Sequence, residues 1–200
     1  RLRGNITGRG VSADFDAPIW QELAMANALT PAFITGLSTN EDATWFYYLS
    51  LNRFVNLFPW ISRNAWQYSD QMLNESYLWK IRQGNIEGQD YVWSAPYHDT
   101  AGQGIKASIG TGVFLDDEFK GALVIDVDLV SLQKKLPKVT NEQQGYVLMN
   151  AQGGVLIHVQ NEESIIKTDA VWQDIAPRQL SKLSQGQIIT IEDQLIYDDW

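Results

Sequence analysis

Between Tyr91 and Asp128 the chain alternates in the manner of strands. The runs Tyr91–Pro96, Gly104–Leu115 and Lys120–Asp128 are separated by turn-forming clusters at His98–Gln103 and Asp116–Glu118. Successive residues of a strand point to opposite faces, and Gly, Asp and Asn are the residues that reverse a chain sharply. Strands joined by such short connections pair antiparallel, because a parallel pair needs a crossover of about a dozen residues. This meander commits the region to an antiparallel sheet. Upstream, Thr44–Leu51 carries Trp45, Phe46, Tyr47 and Tyr48 and reads as another strand. Asn52-Arg53 turns it into Phe54–Phe58, and Pro59 ends that hairpin.

Two segments follow the helical period instead. Asp16-Ala17-Pro18 is a helix start, an Asp cap followed by Pro in the first turn. Ile19–Leu37 continues it through Ile19, Leu23, Met25, Leu29, Phe33 and Leu37, with Pro31 expected to kink or split it. Ala65–Arg82 reads as a second helix and Gly84–Gly88 as a loop. Arg1–Arg9 reads as a frayed end or linker, and Val130–Leu136 as a short helix stopped by Pro137. The expected domain is α+β, with its helices packed mainly on one side of the sheet.

The polar stretch Lys138–Gln144 marks the start of a second unit. Gly145–Met149, a turn at Asn150–Gly154 and Val155–Val159 give strand, turn and strand. Trp172–Leu183 is expected to be helical and Gln187–Tyr197 to form one or two further strands. The organisation expected is an N-terminal segment and helix over 1–37, a larger module over 38–137 and a smaller, truncated one over 138–200. Arg1 and the Asp198-Asp199-Trp200 ending do not read as natural termini, so the chain is expected to be an excised fragment.

Composition narrows the function. The net charge of −9 repels a phosphate backbone, and no basic run is present, which argues against a nucleic-acid partner. There are no cysteines, so thiol catalysis, Cys-based zinc sites and disulfides are excluded. No stretch reaches the roughly 18 apolar residues of a membrane span.

Few residues invite catalysis. His98 lies in a turn and His158 near a strand end, and no G-x-S-x-G elbow surrounds a serine. Acidic pairs occur at Asp116–Glu118, Asp126/Asp128 and Asp198-Asp199, but none forms a calcium-loop motif, and neither metal nor cofactor is expected. Asp126 and Asp128 share a strand face with Val124. A buried strand ending in acids has either reached the sheet edge and solvent, the reading chemistry alone favours, or it lines a pocket for a cation. The chain holds eight Trp, eight Tyr and seven Phe. Tyr47, Tyr48, Tyr77, Trp79, Tyr91, Trp93 and Tyr97 all precede Asp126, a set suited to an organic ammonium through cation–π contact and ion pairing. Carbohydrate stacking is the other use of such rings.

Several segments in order carry a family resemblance. They are Tyr47-Tyr48, Tyr77-Leu78-Trp79-Lys80, Asp90–Asp99 (DYVWSAPYHD), Lys106–Phe114 and Phe119–Leu129 (FKGALVIDVDL). Together they resemble the double PAS-like extracytoplasmic sensor domain (dCache, also called PDC) of bacterial transmembrane signalling proteins. The resemblance is good over 44–136 and looser beyond. It implies two PAS-like antiparallel-sheet modules linked to an N-terminal helix. The larger, membrane-distal one holds the ligand, and the smaller, membrane-proximal one passes the signal on. It also implies a periplasmic location in a membrane-anchored protein and is compatible with a homodimer. The cytoplasmic output it implies is a diguanylate cyclase first, then a histidine kinase or chemoreceptor.

In amino-acid-binding members of that family an Arg two residues before a Trp grips the ligand carboxylate, and an Asp on the later strand holds the ammonium. Trp79 and Asp126 match, but Tyr77 stands in place of the Arg and Lys80 where an aromatic is usual. The resemblance thus points away from an α-amino acid and toward an amine without a carboxylate, or another small polar or aromatic molecule. The ligand-binding residues expected are Tyr47, Tyr77, Trp79, Trp93, Tyr97, Asp99 and Asp126, with no catalytic residue. The competing readings are a protein-interaction module with an empty pocket and a carbohydrate-active enzyme using Asp126 or Asp128.

Overall fold

The computed structural model describes residues 4–136, 145–150, 154–160, 163–165, 188–191 and 194–197. The chain divides into two compact units, residues 1–136 and 137–200. In the first, the elements are β1 (Asn5–Gly8), α1 (Ala17–Ala28), α2 (Thr30–Thr39), β2 (Ala43–Ser50), β3 (Phe54–Phe58), α3 (Gln71–Asn74) and α4 (Ser76–Ile86). They continue with β4 (Val92–Trp93), β5 (Tyr97–His98), β6 (Ile105–Leu115), β7 (Glu118–Asp128) and α5 (Leu129–Lys135). The strands make one antiparallel sheet in the order β1-β3-β2-β7-β6-β4, with β5 also paired to β6. The class is α+β, as the sequence led one to expect.

Helices cover both faces of this sheet, not mainly one. Phe46, Tyr48 and Phe58 point to the face where Ala26 of α1 and Phe33 of α2 pack. Tyr47, Leu49 and Val124 point the other way, against Leu78 and Ile81 of α4. The aromatic run of β2 is apolar on both faces because both are buried. Alternation of polarity reveals a half-buried strand, and here there was none to read.

Other boundaries moved for local reasons. The N-terminal stretch read as a frayed linker supplies β1, an edge strand whose Asn5–Gly8 pairs with Phe54–Leu57 of β3. The first helix splits at Leu29–Thr30, and Pro31 lies in the first turn of α2, where its missing N–H costs nothing. The second helix starts at Gln71 rather than Ala65. Ser62 accepts the amides of Ala65 and Trp66 to close a turn. The Tyr68 amide donates to Thr7 Oγ1 at 3.0 Å, tying the segment to β1. Helix α4 runs through the expected loop as far as Ile86, and Tyr91–Pro96 is cut to the two-residue β4. The β6–β7 hairpin closes on Asp116 and Asp117, both at positive φ (52° and 61°), which suits the twist of a two-residue hairpin loop.

In the second unit, β8 (Gly145–Met149), β9 (Val155–Gln160) and β10 (Glu163–Ile165) form one antiparallel sheet in the order β10-β9-β8. Strands β11 (Ile188–Ile191) and β12 (Gln194–Tyr197) form a separate antiparallel pair. The expected turn between β8 and β9 is closed by the Gly154 amide donating to Asn150 Oδ1 at 2.7 Å. The linker at Lys138–Gln144 and the helix at Trp172–Leu183 lie outside the described residues. Among the described residues no helix is long and apolar enough to cross a membrane.

Candidate functional site

Cross-strand partners share a face, so the register assembles the site. Tyr47 pairs with Val124 and Val124 with Gly110. Trp45 pairs with Asp126 and Asp126 with Ser108. Asp128 pairs with Lys106, and Lys106 with Tyr97. One face therefore presents three successive rows, and helix α4 lies over the first of them. Asp126 is in the middle row of a central strand and only 5% exposed. The sheet-edge explanation of this acid is overturned, since β2 and β6 flank it on both sides.

Its carboxylate is held by hydroxyls. Ser108 Oγ donates to Oδ1 at 2.7 Å and Tyr47 Oη to the same oxygen at 3.3 Å; neither reaches Oδ2. Ser108 has spent its proton on Asp126, so Tyr97 donates to Ser108 Oγ at 2.9 Å. Tyr77 Oη donates to the Val92 carbonyl at 2.9 Å. Burial pushes the Asp126 carboxyl up to about 6, the hydroxyl bonds pull against it, and the Asp99 charge adds to the rise. Burial, and then the Asp126 charge, raises the phenols of Tyr47, Tyr77 and Tyr97 above their ordinary range, so all three keep their protons. Among the described residues no cation lies within ion-pair distance of Asp126.

Between this face and helices α3 and α4 lies a recess of about 50 Å³, open to solvent. That is room for about four water-sized groups. Leu49, Met72, Leu78, Ile81 and Val124 are its apolar lining, and Tyr47, Tyr77 and Glu75 its polar groups. Gly110 lets α4 come this close. A Cβ there would lie 2.5 Å from Ile81 Cδ1 and 2.9 Å from Tyr77 Oη. Gly110→Ala is expected to cost about 1–3 kcal/mol by overpacking, read as a lower urea midpoint at unchanged slope.

Of the expected ligand residues, Tyr47, Tyr77, Tyr97 and Asp126 fall in one connected neighbourhood. Asp99 stands beside it, accepting Trp45 Nε1 at 3.0 Å and the amides of Ala101 and Gln103, so its oxygens hold the β5–β6 turn. Trp79 is elsewhere. It is 46% exposed, donates to the Leu73 carbonyl and lies against the Phe119 ring. Trp93 is opposite Ile109, on the other face from its neighbour Val92.

The sequence reading missed Ser108, Trp45, Glu75 and Lys106. Only register shows that Ser108 faces Asp126. Lys106 is fully buried, with Nζ in an ion pair 2.9 Å from Asp128 Oδ2. Asp128 Oδ1 caps α5 by accepting the amides of Val130 and Ser131. Asp128 is thus a structural acid, not a partner of Asp126 across a cleft. Among the described residues no three His, Asp or Glu converge as a metal site.

No protein-family model and no curated protein matches the chain. Solved structures do resemble it. The ligand-binding domain of the Pseudomonas fluorescens chemoreceptor CtaA in complex with L-serine is 17% identical, with a TM-score of 0.47 over 92% of this chain and 71% of that one. The ligand-binding domain of Mlp24 with asparagine is 18% identical, with a TM-score of 0.41 over 88% and 77%. CtaA in complex with L-isoleucine is 18% identical, with a TM-score of 0.46 over 87% and 66%.

Proposed function

We propose that the first unit binds a small organic amine and is the ligand-sensing part of an extracytoplasmic receptor. The observation that carries this is the polarity of the recess. Tyr47 spends its one proton on Asp126 and Tyr77 spends its own on Val92, so both hydroxyls can only accept. The remaining lining groups are apolar, apart from the Glu75 carboxylate. A site built only of acceptors, with a buried carboxylate behind it, takes a donor that carries positive charge. It offers nothing to a ligand carboxylate, whose recognition needs donors such as an Arg fork.

Within this reading the first unit is the membrane-distal module of the dCache architecture and the second the membrane-proximal one. The receptor is anchored in the inner membrane with both modules in the periplasm, and a homodimer is compatible with it. A diguanylate cyclase is the preferred output, ahead of a histidine kinase or a chemoreceptor. These assignments rest on the motifs at Tyr77–Lys80, Asp90–Asp99 and Phe119–Leu129. Ligand binding need only favour one of two arrangements of the unit, and a coupling of about 1–3 kcal/mol suffices.

A thermal-shift screen with 1-aminobutane, butanoate and norvaline tests the polarity argument. At a hundred times its dissociation constant, a ligand adds about 2.7 kcal/mol. That raises the melting temperature by roughly 5–11 °C for a chain of this size. The amine alone is expected to do so. Its affinity should be flat above pH 6 and fall by about tenfold per unit below, because protonating Asp126 removes the anion while the ammonium keeps its charge. Stabilisation by butanoate, or an amine affinity indifferent to pH 5, would refute the assignment.

A further inference from the structure

Glu75 occupies the N-cap of α4, where a side chain ordinarily accepts one of the free amides of the first turn, yet it makes no capping hydrogen bond. It enters no ion pair among the described residues. The residue as a whole is exposed, but partial desolvation of its carboxyl raises it above the ordinary range, and no cation among the described residues offsets this. It lines the same recess as Tyr47 and Tyr77. The recess thus has an acid on each of its two layers. Glu75 stands on the helix side, and Asp126 on the sheet side, behind the Tyr47 hydroxyl.

We infer that the ligand is a diamine, with one ammonium against Tyr47 and Asp126 and a second against Glu75, joined by a short apolar spacer along Leu49, Leu78 and Val124. This rests on the amine reading and deepens it. A monoamine leaves Glu75 unpaired, and an amino acid would bring its own negative charge beside two others. A diamine neutralises both acids, and its methylenes meet apolar walls. The recess, with room for about four water-sized groups and an open mouth, suits a chain of a few carbons rather than a bulky ring.

The probes are 1,4-diaminobutane and 1-aminobutane, titrated by calorimetry at pH 7 into the wild-type chain, Glu75→Gln and Asp117→Asn. The last removes one charge at the exposed hairpin tip and controls for net charge. The wild type is expected to hold the diamine at least tenfold more tightly than the monoamine. Glu75→Gln should bring the two within about twofold, the statistical advantage of two equivalent ends, by weakening the diamine far more than the monoamine. Asp117→Asn should keep the wild-type preference. A preference absent from the wild type, surviving in Glu75→Gln, or lost equally in Asp117→Asn overturns the diamine assignment while the amine site stands. If neither probe binds, the amine site itself is refuted and the diamine with it.

Discussion

Asp126→Asn is expected to stabilise the ligand-free protein at pH 8 and to abolish amine binding, two effects of opposite sign from one atom exchange. In the folded chain the carboxyl titrates near 6, against 3.8 for its ordinary value. Between these values the folded state holds a proton that the unfolded state has lost, so stability falls as pH rises through the window and is flat above it. About two pH units correspond to roughly 3 kcal/mol of destabilisation at pH 8. The Asn side chain keeps an Oδ1 to accept from Ser108 and Tyr47 but carries no charge to desolvate. A melting point higher by roughly 6–12 °C at pH 8 is expected, together with loss of the wild-type fall in stability between pH 4 and pH 6. Removing a buried charged partner costs a ligand about 2–5 kcal/mol, so amine affinity should drop about thirtyfold or more. An Asn variant that melts lower at pH 8, or that still binds the amine, contradicts the account. Under the proposed amine reading, a destabilising buried acid is tolerable because the ligand supplies the missing counter-charge.

What could be read from the sequence follows from which physics is local. Strand and turn signals are local, so the β6–β7 hairpin and the strand carrying Asp126 were legible, as was the class of fold. The acid itself stood out, but whether it faced solvent or a pocket depended on neighbours β2 and β6, which only register supplies. Tyr47, Tyr77 and Tyr97 could be suspected from chemistry. Ser108 could not, since one serine in a strand differs in nothing from another until its partner is known. Trp79 and Trp93 entered the expected set for a related reason. An aromatic in a motif carries no mark of the face it takes, and one turns to solvent against Phe119 while the other lies across from Ile109. Two-sided burial of β2 erased the alternation that would have revealed helices on both faces.

Glu22→Ala is expected to cost about 3–5 kcal/mol and to loosen α1 from the sheet. In a helix with no other charge this carboxylate turns inward, where Oε1 accepts Tyr48 Oη at 2.6 Å and Ser50 Oγ at 2.5 Å, and Oε2 accepts Asn52 Nδ2 at 2.5 Å. Tyr48 and Ser50 are fully buried. Truncation leaves two buried hydroxyls without their acceptor, each costing about 1–3 kcal/mol, and Tyr48 keeps only a long bond to the Lys120 carbonyl at 3.4 Å. The outward side of α1 includes Trp20, half exposed against Phe15, so its fluorescence reports this helix. A urea titration followed at Trp20, with the other tryptophans replaced by Phe, should show the variant unfolding at markedly lower denaturant. Glu22→Gln, which keeps an acceptor for the two hydroxyls but turns an amide toward Asn52, should fall between. Because Tyr48 and Tyr47 are consecutive on β2 and point to opposite faces, the anchor of α1 and the proposed amine site share one strand. Amine affinity measured in Glu22→Ala below its unfolding midpoint then decides whether they are coupled. A shift of fivefold or more means the strand transmits between its faces, and an unchanged affinity confines Glu22 to holding the helix.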